Sequence, residues 1–200
     1  MKRIISLFLC VLLLAGVACG FGGCSANVEM TDENITKTVE KAEQALKEFD
    51  TKALKKYVDS KTLDVIIPIA DKKEAFKTLG QAMFSNLTME IKSIDAENAT
   101  VTLEVINKDL MVPATAFAYD LKSNYSNAQL LTKLDDDNFI NENLNPLIEK
   151  IDSAEMKKEK TEITLKVKNG KKNLMLAFDE EGEDAVSGDA LSAIKSVFGV

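Results

Sequence analysis

Histidine and tryptophan are both absent from the 200 residues. The commonest general base and the commonest zinc ligand are therefore missing together. Cysteine is nearly absent too, with three residues, Cys10, Cys19 and Cys24, all inside the first 24 positions. Positive charge is in the minority, 25 Lys and Arg against 32 Asp and Glu, for a formal charge of -7. That balance repels nucleic acid and anionic lipid headgroups, so no nucleic-acid partner is expected. The chain has no P-loop, dinucleotide fingerprint, nucleophile elbow, CxxC pair or zinc signature, and no internal repeat or low-complexity tract. What it does have is 46% hydrophobic residues, enough to bury a core in one domain that follows a processing segment.

That segment reads in three parts. Lys2 and Arg3 are basic, Ile4 to Ala18 form an apolar run of 15 residues, and small residues then lead to cysteine. A membrane span needs about 20 apolar residues, so the run is short for one and suits a signal peptide. An uncleaved span is the competing reading. Gly16-Val17-Ala18 precedes Cys19, and Phe21-Gly22-Gly23 precedes Cys24. Cysteine directly after small residues resembles the lipobox of bacterial lipoproteins. The resemblance implies that the thiol receives a diacylglyceryl group and becomes the first mature residue. Cys24 is the preferred lipid-attachment site, because acylation there leaves no free thiol to oxidise outside the cytosol. Cys19 is the alternative, and its choice leaves Cys24 as an odd thiol. The expected division is residues 1–23 as signal, 24–30 as a polar tether and 31–200 as the domain. The implied location is the outer face of the cytoplasmic membrane.

Periodicity organises the rest. Ile35, Val39, Ala42, Leu46 and Phe49 are spaced 4, 3, 4 and 3, which places them on one helical face. Asp50 is placed to cap a short helix carrying Leu54, Tyr57 and Val58, and Pro68 is expected to break the chain. A third helix is expected over 71–85, with Phe76, Leu79 and Met83 inward. Alternation then replaces the helical period. Met89 and Ile91 face one way, as do Val101, Leu103 and Val105, and the phase slip at Ile94 predicts a bulge near Ser93. A second hairpin has Ile163, Leu165 and Val167 returning through an Asn169-Gly170 turn to Leu174, Leu176 and Phe178. Residues 110–156 are helical in character, with Phe117, Leu121, Leu130, Leu134, Leu147, Ile148 and Ile151 inward. Pro113 fits a helix start, and Pro146 either kinks a helix or opens one. Ala190, Leu191, Ile194, Val197 and Phe198 make a last amphipathic helix. The fold class is α+β, a curved antiparallel sheet from two hairpins packed against N-terminal, central and C-terminal helices.

Two stretches, "TVEKAEQALKEFDTKALKKYVD" and "NLMLAFDEEGEDAVSGDALSAI", resemble small Gram-positive lipoproteins whose domain is nuclear-transport-factor-2-like, or cystatin-like. The resemblance covers about residues 31–200 and implies a cone between the curved sheet and its helices. The long helical segment between the hairpins and the missing tryptophan depart from that pattern.

Candidates for chemistry are few. Tyr57, Tyr119 and Tyr125 could donate hydrogen bonds, but such tyrosines usually sit at a core edge. No Asp or Glu faces inward on an expected strand, so no buried general base is visible. The acidic run 135–143 has Phe139, Ile140 and Pro146 where a calcium loop needs a ligand, glycine and a bidentate glutamate, and reads as a solvated helix cap. The run 179–184 reads the same way. Ser192 and Lys195 have the spacing of serine-lysine enzymes without the companion motifs. No catalytic, cofactor or metal residue is therefore assigned. The expected role is a non-catalytic binding or interaction module of the envelope, held to the membrane by its diacylglyceryl cysteine, with an envelope protein or a small apolar ligand as partner. The alternatives are a small-molecule carrier and an isomerase-like enzyme using the cone.

The intact mass of membrane-extracted protein checks the anchor. A species beginning at Cys24, or at Cys19, and carrying a diacylglyceryl mass is expected; an unlipidated species beginning upstream of Cys19 would refute it.

Overall fold

Thr31 starts the first helix by accepting the N–H of Asn34 on its hydroxyl at 3.2 Å, one of the donors that a helix start leaves unpaired. The computed structural model describes residues 28–199, so the expected signal segment with Cys19 and Cys24 lies outside the described residues. The elements in order are α1 (Asp32–Glu48), α2 (Thr51–Tyr57), β1 (Val58–Asp59), α3 (Lys61–Ala70), α4 (Glu74–Phe84), β2 (Thr88–Asp95), β3 (Thr100–Ile106), α5 (Met111–Asn124), α6 (Asn127–Lys133), α7 (Asp137–Asp152), β4 (Thr161–Asn169), β5 (Leu174–Ala177), α8 (Glu180–Val186) and α9 (Ala190–Phe198). Val28 and Met30, in the stretch expected to be a tether, are half-buried against the main core.

The α+β class is as expected, and the sheet order is β1-β5-β4-β3-β2. Both hairpins form and lie side by side through an antiparallel β3–β4 pair, and the two-residue β1 adds a parallel edge to β5. Val58, expected on the second helix, instead pairs with Leu176. One sheet face is dry: Met89, Val101, Leu103, Val105, Ile163, Leu165, Val167, Leu174 and Leu176 are all buried. On the wet face, Thr102 and Thr164 are hydrogen-bonded at 2.9 Å, Lys160 bridges Glu90 and Glu104, and Lys92 pairs with Glu162. The bulge is present. Ile91 pairs with Leu103 and Ser93 with Thr102, which leaves Lys92 unopposed and keeps both Ile91 and Ile94 toward the core.

Several expectations need correction. The second hairpin closes through a four-residue loop, because Asn169 pairs with Leu174 and the Gly170 N–H donates to the Asn173 carbonyl at 2.8 Å. A two-residue Asn-Gly turn would seat Lys172 opposite Val167 on the dry face; the longer loop leaves both Lys171 and Lys172 outside the strands. Pro68 does not break the chain but lies inside α3. It forfeits only the bond to the carbonyl of Asp64 in the last turns, and both residues are exposed, so water can serve that carbonyl. The helical region divides into α5, α6 and α7, with Pro113 in the first turn of α5 and Pro146 inside α7. The acidic run at 179–184 is a helix in its own right, capped where Asp179 accepts the N–H of Gly182 at 2.9 Å.

Two layers of packing follow. The main core joins α1, α2 and α8 to the dry sheet face, and Phe49 stacks on Phe84 with ring centroids 6.2 Å apart. Gly80 permits this, since a Cβ there would lie 2.3 Å from the Phe49 ring. A second cluster, with Leu110, Ala114, Ile140, Leu144, Leu147, Ile151 and Ala190, joins α5, α7 and α9.

A dipeptide just after β3 ties the layers together. The Asn107 side chain is fully buried and donates to the carbonyls of Met83 at 2.9 Å and Val186 at 2.7 Å, in the last turns of α4 and α8. Next to it the buried Lys108 ammonium donates to Ile151 at 3.0 Å and Asp152 at 2.9 Å, at the end of α7. A cation there suits the negative end of the helix dipole. Gly188, at φ +61°, passes so close that a Cβ would meet the Lys108 carbonyl at 2.0 Å.

Replacing Asn107 with alanine strands two helix-terminal carbonyls, and Asn107→Ala is expected to cost about 3 kcal/mol. Urea unfolding checks it; an unchanged midpoint would show that this junction does not hold the layers.

Candidate functional site

Helices α1 and α3 to α9 contribute to the wall of an apolar cavity of about 210 Å³. Ile66 and Ile69 come from α3, Phe76, Leu79 and Met83 from α4, Phe117 from α5, Leu130 from α6, Leu147 from α7, and Ile194 and Phe198 from α9. Phe76, Leu79 and Met83 are the inward residues expected from periodicity. They are only half-buried because the space they face is not filled by side chains.

The cavity is not where a cone between sheet and helices would put it. Of the strands only β1 reaches its wall, through Val58. The dry face of the sheet has no room for one: Leu103, Leu165 and Leu176 are at most 1% exposed beneath α1 and α8.

Among the described residues one ionisable side chain belongs to the wall, Glu183 of α8, and sequence reasoning missed it. Its carboxylate accepts the Ser60 hydroxyl at 2.5 Å, the Thr62 hydroxyl at 2.6 Å and the Thr62 N–H at 3.2 Å. Ser60 is also the cap of α3, accepting the Leu63 N–H at 3.1 Å. Glu183 thus fastens the start of α3 to α8. At the other end of α3, Asp71 pairs with Lys55 at 2.8 Å. Glu183 sits among five Asp and Glu residues between 179 and 184, and nothing in that run marks it out.

Asp64, one turn into α3 and open to water on one side, has its pKa raised first by the partial desolvation that neighbouring atoms impose on its carboxyl, and then by the negative charges of Asp59 and Glu183. A carboxyl whose folded pKa lies above its unfolded value favours the native state in acid. That contribution is lost as pH rises through the folded pKa.

The tyrosines lie elsewhere. Tyr57 is half-buried beside the main core, Tyr119 is 58% exposed, and Tyr125 meets Phe139 edge-on at 5.1 Å. None of the three belongs to the cavity wall. In the run 135–143, Asp136 caps α7 by accepting the N–H groups of Asn138 and Phe139, and Asp137 pairs with Lys73 at 2.5 Å. The Ser192 hydroxyl donates to the Asp189 carbonyl while Lys195 pairs with Glu180, so these two side chains have separate partners. Among the described residues, no helix is long and apolar enough to cross a membrane.

Comparison with protein-family models, curated proteins and solved structures found no match to this chain.

Removing the Glu183 carboxylate leaves Ser60 and Thr62 without their acceptor, and Glu183→Ala is expected to cost about 2 kcal/mol. The same change takes one negative charge from Asp64. NMR titration should find the Asp64 pKa lowered toward the ordinary aspartate range; an unmoved pKa would show that the two carboxylates do not interact.

Proposed function

We propose that the protein is a lipid-anchored, extracytoplasmic binding module of the cell envelope that holds a small apolar molecule between its helices. The observation that carries the binding reading is the 210 Å³ apolar cavity. Its wall is almost wholly carbon, and the recess is partly open to solvent, so a small molecule can both enter it and lose its apolar surface from water there. Apolar recesses between helices with a few polar atoms at the rim are where small ligands bind.

The lipobox-like sequences before Cys19 and Cys24 support the anchor, as does the resemblance to nuclear-transport-factor-2-like lipoproteins, although the cavity lies among the helices and not in the cone that the resemblance implies. Attachment through a doubly acylated cysteine would confine binding to the outer face of the cytoplasmic membrane. An isomerase-like reading would rest on Glu183. Its carboxylate already accepts three hydrogen bonds within the protein, which suits a fastening better than a base waiting for a substrate proton.

Native mass spectrometry tests the binding reading on the chain from residue 25 onward, which keeps every one of the described residues 28–199. A co-purified species of low mass, released by organic solvent, is the expected result. A protein that emerges empty and gains no thermal stability from any apolar additive would count against it.

A further inference from the structure

We infer that the cavity takes a short aliphatic group of roughly six to nine carbons with no charged head. This rests on the binding reading above and adds the size and chemistry of the ligand. An apolar cavity of about 150 Å³ holds one benzene molecule, and drug-sized ligands occupy pockets of about 300–1,000 Å³. At 210 Å³ the space is larger than the first and smaller than the second. A full-length acyl chain does not fit in it; a chain end or a compact branched hydrocarbon does.

The chemistry follows from what the polar wall atoms already do. Ser60 and Thr62 donate to Glu183, and the Ser187 hydroxyl donates to the Asp184 carbonyl at 3.0 Å while accepting the Leu191 N–H at 3.3 Å. Glu183 has three donors of its own. A ligand ion placed among these groups would lose its water and gain no free partner, which is costly in an apolar site. Asn127, half-buried on the α6 side of the wall, is the one polar wall side chain with no hydrogen-bond partner among the described residues. It can meet a single neutral oxygen and cannot neutralise a charge. The wall is therefore built for methylene and methyl groups, with room for one uncharged polar atom beside Asn127.

Calorimetry with straight-chain alcohols, butanol to dodecanol, on the chain from residue 25 onward tests this. Affinity should rise about fourfold per methylene to roughly eight carbons and then stop rising. Octanoate and octylammonium should bind at least tenfold more weakly than octanol. Affinity that keeps climbing through dodecanol would overturn the size, and charged octyl compounds that bind as well as octanol would overturn the chemistry, while the binding reading survives both. If no alcohol binds, the binding reading itself fails. Leu79→Trp, which fills the cavity, should abolish octanol binding with the melting temperature retained. Met83→Phe serves the same purpose if that variant does not fold. Octanol binding that persists in a folded, filled variant would place the ligand elsewhere and overturn the inference.

Discussion

The fold turns on a buried amide and a buried ammonium side by side. Asn107 and Lys108 leave the end of β3 and receive the C-terminal carbonyls of α4, α8 and α7. Helix ends leave several carbonyls unpaired, and a buried one must find a donor or cost free energy. Here one dipeptide serves three such ends. It also anchors backbone that returns from elsewhere: the Lys157 N–H donates to the Asn107 carbonyl at 2.9 Å, and the Leu110 N–H donates to Gly188 at 2.8 Å. Because each partner comes from a different stretch of chain, the helical layer is registered to the sheet here as well as through Glu183 and the start of α3.

That registration lets the two layers differ in character. The sheet and the helices directly on it are closely packed, with Leu54, Leu87, Leu103, Leu165 and Leu176 fully buried and none of them on the cavity wall. The outer layer encloses the cavity and leaves Phe76, Leu79 and Met83 half-covered. Helices α5, α6, α7 and α9 line the cavity without joining the main core, whereas Leu63 and Ile67 of α3 and Phe84 of α4 also pack against the strands. Helix α3 shows the pattern most clearly, since Glu183 and Lys55 hold its two ends while Ile66 and Ile69 line the cavity between.

Local physics made much of this readable from the chain itself. The strand faces, the Asp50 cap and the bulge beside Ser93 each depend on neighbours a few residues apart, and each is present. The features that escaped depend on distance along the chain. Ser60 and Glu183 are 123 residues apart, and Asn107 and Val186 are 79 apart. A polar residue that caps a remote helix looks, in sequence, like any solvent-facing Asn or Glu. The turn at Asn169-Gly170 departs from its local preference for a related reason: the dipeptide favours a tight hairpin, but keeping Lys172 off the dry face outweighs that preference. The cavity is the least legible feature, because eight helices must come together before the space between them exists.

The packing of Val28 against the core has a consequence for reach. Only four residue steps separate Cys24 from Val28, and a fully stretched chain covers at most ~14 Å over that interval. With the lipid on Cys24, the body would skim the headgroups, its orientation restricted by so short a leash. With the lipid on Cys19 the slack grows to ~32 Å, and the same body could swing free of the surface and survey its surroundings. Under the proposed anchoring, the choice of thiol would decide between a fixture lying on the bilayer and a buoy riding above it.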